Sequence, residues 1–272
     1  KIFVFFLTPK PKKQTILFLE NFPIENAGYQ QRSHKWGEIL KNEGYQVQIF
    51  TIFENKIKYD QIREKKSQHF FLIVALIKRF RQCILARKYS SVIVRRELLF
   101  QNDYGNLFLE KMLLKLNKNV ILDFDDDLSA AKRQPKEITN FYGKLMFENG
   151  NKFNESLRLY QKFIVGSEYL KSLVQKQSNN KVIEVIPTCV DTKNFIKKTY
   201  KKHPIKNQKI NIGWIGGNQN LKYLDLVIEP LNKIQKEFNI QLSVVSGKKF
   251  KHANAKFEII NYQWSLHGQF SY

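Results

Sequence analysis

Cysteine is nearly absent from this chain of 272 residues: only Cys83 and Cys189 occur, far apart and outside any CxxC spacing. That argues against a disulfide framework and a zinc ribbon, and it suits a reducing compartment. The five histidines form neither an HxxxH nor an HExxH pair, so a helix-borne zinc site has no ligands to draw on. No GxxxxGK[ST] loop occurs, and no GxGxxG follows a strand-like run, which speaks against P-loop nucleotide hydrolysis and dinucleotide-dependent redox chemistry. Long apolar runs are missing too. The longest strongly apolar run, FFLIVALI from Phe70 to Ile77, has eight residues, too few for the roughly 30 Å of hydrocarbon in a bilayer. It reads either as a buried helix or strand, or as an interfacial membrane helix followed by Lys78, Arg79 and Arg81. The chain starts without Met, and its IFVFFL stretch is too short for a signal-peptide core. A cytoplasmic chain that is a fragment of a longer protein is expected.

Acid is the other shortage. Asp and Glu total 24 against 46 Lys and Arg, a formal charge of +22. The excess favours an anionic partner, whether nucleotide, phospholipid or nucleic acid. The lysines are spread along the whole chain among many Ile, Asn and Phe, so a general compositional bias accounts for the charge equally well. With 43% hydrophobic and 14% aromatic residues the chain can bury a core, and its length accommodates about two domains.

Strand-like and helical patterns alternate. TILFLENF (15–22) reads as a buried strand, followed by a loop with Pro23 and Gly28, a helix to about Asn42 closed by Gly44, and the strand YQVQIFTIF (45–53). The pattern continues with SSVIVRR, a helix near Tyr104 to Leu116, NVILDF, a helical region from about Ile138 to Leu159, KFIVGS, a helix from Glu168, and KVIEVIPT. Apolar strands joined by helices predict a parallel sheet covered on both faces, with ligands at the carboxyl ends of its strands. The Lys-rich KKTYKKHPIKNQ (197–208) has no apolar period and reads as a linker. A second alternation follows: NIGWIGG, a helix from about Leu221 to Phe238, QLSVVSG and KFEIINY. In NIGWIGG, a strand running through Gly216 and Gly217 into a helix brings bare backbone N–H groups to a helix start, where a phosphate can sit; a purely structural tight turn has the same appearance.

Against the basic background, VILDFDDDL (120–128) gathers Asp123, Asp125, Asp126 and Asp127 within five positions. Three readings are open: a divalent metal site, a polar rim around a substrate, and a solvated turn in which Asp127 or Ser129 caps the next helix. Strand alternation puts Asp123 and Asp125 on one face and Phe124 on the other.

The succession KFIVGSEYLKSLVQK, KVIEVIPTCVDTKNF, linker, NIGWIGG resembles the junction of the two Rossmann-like domains in group 1 (family 4) glycosyltransferases of the GT-B fold. ILFLENFPIENAGYQQRSHKWGEILKNEGYQVQIF is similar to that family's first strand, Gly-containing loop, helix and second strand. The resemblance implies an α/β, GT-B type chain of two Rossmann-like domains with parallel sheets: an acceptor-side domain over 1–196, a linker over 197–208, and an incomplete donor-binding domain over 209–272. It implies a hexosyltransferase-like enzyme that moves a sugar from a nucleotide-sugar to a glycan, lipid-linked or other hydroxyl acceptor. Retention, front-side attack by the acceptor hydroxyl, and no metal or other cofactor are expected.

The resemblance assigns donor binding to Gly216, Gly217, Asn218, Lys222, Gly28, Arg32, Ser167 and Glu168, and an acceptor-side position to Asp123, Arg95 and Glu97. Asp125 and Asp126 fall where the family often has a His-Asp pair close to the acceptor hydroxyl, and they are the expected catalytic residues. Each has a plainer alternative: Gly28 as a turn glycine, Arg32 toward solvent, Ser167 as a helix cap, Arg95 in a surface ion pair, and Trp214 and Trp264 as core residues. Asp123-Phe124-Asp125 also spells the DxD of the GT-A architecture, to which a second βα domain with a Gly-rich opening is foreign. The family pattern is departed from at Cys189, where Gly is usual, and in having only Lys222 as a basic counterpart after the Gly-rich loop. The family's donor carboxylate pair would lie past Tyr272, so a truncated chain, inactive by itself, is expected. Peripheral contact with anionic membrane at the inner face stays open. The rival reading is a basic Rossmann-like binding module for nucleic acid or anionic membrane, supported by charge alone; nucleic acid lacks any RNP, helix-turn-helix or zinc-finger pattern.

Overall fold

The computed structural model describes residues 14–26, 28–55, 68–99, 106–129, 152–177, 180–189 and 209–265. The chain divides into two units, Lys1–Val190 and Asp191–Tyr272. The linker expected at 197–208, most of the helical region expected from Ile138 and the start of the helix expected at Tyr104 lie outside the described residues.

In the first unit the apolar runs become β1 (Thr15–Glu20), β2 (Gln46–Thr51), β3 (Ser91–Arg95), β4 (Val120–Phe124), β5 (Lys162–Val165) and β6 (Val182–Val185). Among the described residues they form one parallel sheet in the order β2-β1-β3-β4-β5-β6. The helices are α1 (Lys35–Asn42), entered through a π-helical turn Tyr29–His34, then α2 (Gln68–Leu85), α3 (Phe108–Leu116), α4 (Lys152–Leu159) and α5 (Glu168–Gln175). Alternation along the strands divides the core between two faces. Leu17, Leu19, Val92, Val94, Leu122, Phe124, Phe163 and Val165 pack on one, with side chains of α2 to α5. Ile16, Phe18 and Ile93 pack on the other, with Trp36 and Leu40 of α1. Gly44 ends α1 as expected, at φ +88°, the left-handed conformation that a Cβ would strain.

FFLIVALI falls within α2; of its side chains those of 73–77 are described, and because only Ala75 among them is buried, the first of its two readings, a buried segment, is corrected for this part. The helix turns Arg79, Gln82 and Cys83 inward and Ile73, Leu76 and Ile77 outward. The inward setting is held by Arg79, whose Nη2 donates to Glu20 O (2.8 Å) and Asn21 Oδ1 (2.9 Å) and whose Nη1 donates to Gln82 Oε1 (2.8 Å). Burial lowers its pKa to about 10.

In the second unit β7 (Ile210–Ile215), β8 (Ile240–Ser246) and β9 (Glu258–Gln263) pair in parallel, in that order. The core joins Leu224 to Ile228 and Leu231 of α6 (Asp225–Ile234), and to Ile240, Leu242 and Val244 of β8. Trp214 packs against it, in line with a core role. The helix expected from Leu221 to Phe238 is shorter: Asn218–Leu224 is a 3₁₀ segment and only Asp225–Ile234 is α-helical. Its tighter winding starts where Asn220 N donates back to Gly217 O at 2.9 Å, an i+3 contact.

Candidate functional site

The strand order turns back at β1, with β2 on one side and β3 on the other. β1 leads into α1 on one face of the sheet, and β3 leads into α3 on the opposite face. The loops leaving β1 and β3 therefore diverge and open a crevice at the carboxyl ends, the usual place for a ligand in such a sheet.

Three strands that are otherwise apolar finish in charge at that end: β1 in Glu20, β3 in Arg95, and β4 at Asp123, one residue before its last. All three lie in step with Phe18, Ile93 and Ile121, on the α1 face. The π-helical turn supplies Arg32 and Ser33 from above. Glu20, Arg32, Arg95 and Asp123 are at most 5% exposed, so each needs a partner.

Arg32 meets Asp123 fork to fork: Nε donates to Oδ1 and Oδ2 at 3.1 and 3.0 Å, and Nη2 makes a short contact with Oδ1. Its Nη1 donates to Ile186 O (3.0 Å) and Thr188 Oγ1 (3.1 Å). Thr188 Oγ1 in turn donates to Asp125 Oδ2 at 2.8 Å, and Arg95 Nη2 donates to Asp125 Oδ1 at 2.8 Å. Arg95 Nε lies 3.7 Å from Asp123 Oδ2. Opposite charges thus alternate through Arg32, Asp123, Arg95 and Asp125. Burial opposes the charge on Arg32, but hydrogen bonding to Asp123 and the charge of that carboxylate outweigh it and raise the guanidinium's pKa. At Asp125 burial pushes the carboxyl up. The charge of Arg95 and the hydrogen bonds from Arg95 and Thr188 outweigh that and hold it below its ordinary value.

Glu20 differs. Ser33 Oγ donates to its Oε2 at 2.8 Å, and the N–H groups of Asn21 and Phe22 donate to Oε1 at 2.9 and 3.3 Å. Burial nonetheless dominates and raises its carboxyl, with the charge of Arg95 and these hydrogen bonds pulling the other way.

The four aspartates of the acid run do different things. Asp123 is a buried partner of Arg32. Asp125 is clamped on both oxygens yet has a side chain 20% exposed. Asp126 is exposed, 3.6 Å from Arg96 Nη1. Asp127 closes a turn, accepting from Ser129 N (2.9 Å) and, on its other oxygen, from Tyr169 OH (2.7 Å). Among the described residues no three His, Cys, Asp or Glu side chains are grouped to hold a metal ion; the two carboxylates of the DxD spacing face guanidinium groups.

The remaining first-unit candidates divide. Arg32, expected toward a donor phosphate or solvent, points to Asp123. Arg95, read also as a surface ion pair, is buried. Gly28 N donates to Asn26 Oδ1 at 2.9 Å, and a Cβ there would lie 3.4 Å from Arg95 Nη2, so the loop passes directly over the cluster. Glu97 contributes its carbonyl, which accepts from Asn21 Nδ2 at 2.8 Å. The residue before it, Arg96, has φ +64°, an uncommon conformation for a side-chain-bearing residue. Ser167 caps α5, its Oγ accepting from Leu170 N at 3.3 Å, and Glu168 lies in the first turn of α5, 3.6 Å from Lys171 Nζ. Sequence reasoning missed Glu20, Thr188 and Gly166. A carboxylate ending an apolar strand was a visible signal for Glu20. Gly166 directly follows β5, and a Cβ there would lie 2.9 Å from Asp125 Cβ.

In the second unit Gly216 N donates to Val245 O at 3.1 Å, and a Cβ at Gly216 would collide with the Trp214 ring at 2.6 Å. Asn218 Oδ1 accepts from Ser246 Oγ at 3.2 Å. Lys222 is exposed, its ammonium 5.4 Å from the centre of the Tyr223 ring. Gly216, Gly217, Asn218 and Lys222 are brought to one end of that sheet, at a 3₁₀ start rather than an α-helical one.

No protein-family model matches the sequence, and no curated protein matches it. Among solved structures, a glycosyltransferase from Rickettsia africae ESF-5 superposes with a TM-score of 0.54 at 16% identity, over 94% of this chain and 70% of that one. MurG from Acinetobacter baumannii (TM-score 0.40, 10% identity, 93% of this chain and 66% of that one) is a weaker likeness, on which no argument rests. The same holds for the glycosyltransferase SnogD from Streptomyces nogalater (TM-score 0.40, 10% identity, 95% and 74%). At 16% identity the first of these speaks for the fold alone: an α/β chain of GT-B type with parallel, Rossmann-like sheets.

Proposed function

We propose that the chain is a glycosyltransferase that moves a sugar from a nucleotide-sugar to a hydroxyl of a glycan or lipid-linked acceptor, with retention and without a metal ion. The observation that carries this reading is Asp125. It is an ionised carboxylate at the mouth of a strand-end crevice, fixed at both oxygens by Arg95 and Thr188 and still partly open to solvent. Its depressed pKa makes it a weak base and a lasting hydrogen-bond acceptor. It is suited to orient an acceptor hydroxyl for front-side attack, in which no covalent nucleophile is needed. Asp126 lies beside it, exposed, for a second contact with a sugar.

Arg32 and Asp123 hold this arrangement through Thr188 and Arg95. Gly28, Ser167 and Glu168 border the same strand ends as donor-side groups, and Arg95 and Glu97 border the acceptor. In the second unit the N–H groups of Gly217 and Asn218 and the positive charge of Lys222 suit a nucleotide diphosphate and take the role a metal ion would otherwise fill. The absence of a metal from the reaction is supported by the guanidinium groups that already face Asp123 and Asp125.

The test is transfer from a panel of nucleotide-sugars, run with and without EDTA. Asp125→Asn is expected to lower transfer about 10²-fold with nucleotide-sugar affinity, measured by calorimetry, nearly unchanged. Loss of activity in EDTA with recovery on adding Mn²⁺ would return the acid run to a metal role. Failure to bind any nucleotide-sugar would overturn the reading.

A further inference from the structure

The polar side chains of α2 bond to the carboxyl ends of the strands beneath it. Lys78 Nζ donates to Ile52 O at 2.9 Å and Gln82 Nε2 to Thr51 O at 3.1 Å, where β2 ends. Arg79, wholly buried, donates from Nη2 to Glu20 O and Asn21 Oδ1, where β1 ends. Asn21 is 1% exposed, and its Nδ2 donates to Glu97 O at 2.8 Å, across 76 residues of sequence. With a donor on its oxygen and an acceptor on its nitrogen, the amide has one orientation that satisfies both. The turn it reaches, just after β3, is strained: Arg96 has φ +64°, its N–H donates to Asp123 O at 2.6 Å, and Glu97 N donates to Arg95 O at 2.9 Å. A side-chain-bearing residue stays in that conformation only where its surroundings over-determine it. Asp123 ties the turn on one side of Arg96 and Asn21 ties it on the other.

We propose that Asn21, oriented by Arg79, is a positioning residue for the transfer reaction: it fixes the strained turn behind Arg95 and so sets where Arg95 holds Asp125 against the β1 side of the crevice. The inference rests on the role proposed for Asp125. Neither Asn21 nor Arg79 touches a reacting group; both act through backbone carbonyls at the ends of β1 and β3. The chain of contacts is Arg79 to Asn21, Asn21 to Glu97 O, the Arg96 turn to Arg95, and Arg95 Nη2 to Asp125 Oδ1. A bond that served the fold alone would cost stability wherever in the sheet it lay, whereas one that positions Asp125 changes the surroundings of that carboxylate in particular.

Asn21→Leu keeps the branching of the side chain and removes both hydrogen bonds. In the full chain the Asp125 carboxyl, followed by ¹³C NMR and assigned with Asp125→Asn, is expected to titrate at higher pH than in the parent, because Arg95 is no longer fixed beside it. Transfer at saturating substrates is expected to fall about tenfold or more, with nucleotide-sugar affinity in calorimetry unchanged. Asn117→Leu is the control. Asn117 is also buried and donates from Nδ2 to Ala86 O and Tyr89 O, but it precedes β4, at the opposite end of the sheet. It is expected to lower the melting temperature comparably and to leave the titration of Asp125 in place. Arg79→Lys keeps a cation for Glu20 O while loosening Asn21, and it is expected to move Asp125 the same way by less; it decides the question where Asn21→Leu fails to fold. An unmoved Asp125 in these variants, or an equal movement in Asn117→Leu, would overturn the proposal. The titration requires no sugar transfer, so a parent chain without transfer overturns the proposed reaction and an unmoved Asp125 overturns the positioning role, and the two failures are told apart.

Discussion

Glu20, Arg95 and Asp123 each bring charge to the carboxyl end of a strand that is otherwise apolar, and two carboxyls of that cluster, Asp125 and Glu20, shift in opposite directions. Asp125, downstream of Asp123, is held ionised by Arg95 and Thr188 against the pull of burial. Its folded pKa lies below the ordinary 3.8, so its contribution to stability is present above that value and lost as pH falls through the folded pKa. Glu20 is the reverse: burial raises its folded pKa above 4.5, the native state holds the proton more tightly, and stability falls as pH rises through that window. Glu20→Gln keeps an acceptor for the N–H groups of Asn21 and Phe22 and offers Ser33 a donor in exchange. The variant is expected to be more stable than the parent at neutral pH and to lose the decline above 4.5, while keeping the acid limb that belongs to Asp125. Urea unfolding from acid to neutral pH measures both limbs; an unchanged upper limb would remove Glu20 as its source. Arg32, Arg95, Asp123 and Asp125 were all legible as candidates, and they do come together. Their pairing was not, because Arg32 stands 91 residues from Asp123 and 156 from Thr188, and no local pattern spans such distances.

At the scale of elements, the strands were the most legible part, since the four inner strands β1, β3, β4 and β5 are largely buried apolar runs and the edge strands β2 and β6 keep a period-two alternation. For α2 the buried reading failed because an apolar run is taken to face inward, and here the inward face carries Arg79 and Gln82. The start of α6 was misread because a Gly-Gly turn does not distinguish a 3₁₀ opening from an α-helical one. Close approach of β4 and β5 at their carboxyl ends was also hidden. It depends on Gly166, where an added Cβ would lie 2.9 Å from Asp125 Cβ and 3.0 Å from its Cα. Neither atom can swing aside without moving the strand end. Gly166→Ala is expected to cost about 1–3 kcal/mol, the usual range for overpacking, and to disturb the Asp125 clamp. Gly213→Ala, in β7, is the control: its Cβ would meet nothing within 4 Å, and a gain of up to about 1 kcal/mol is expected from the less flexible unfolded chain. Thermal melts of the two variants separate the effects, and equal shifts would show that the predicted contact is not felt.

For the whole molecule, the two-part organisation was legible from the return of strand-Gly-helix alternation after a Lys-rich stretch, although the expected boundary at 196 falls outside the described residues. The physical basis of the division is that the cores share no residue. Every buried hydrophobic side chain of the first two clusters, from Ile16 and Leu17 to Val174, lies in the first unit, and the third cluster runs from Leu224 to Phe257 in the second. The buried charge cluster is likewise internal to the first unit, from Glu20 to Thr188. A unit with its own core, whose buried charges pair within it, needs no covalent neighbour to fold. Residues 1–190 expressed alone are therefore expected to unfold cooperatively, with a urea midpoint matching one transition of the full chain. The smaller second unit, with less apolar surface removed from water, is expected to account for an earlier transition. Circular dichroism follows both units, and the emission of Trp36, on α1, follows the first unit in the fragment. A single transition in the full chain, together with a fragment that unfolds without cooperativity, would mean that the first unit depends on the second for its stability and that separate cores do not suffice for independent folding.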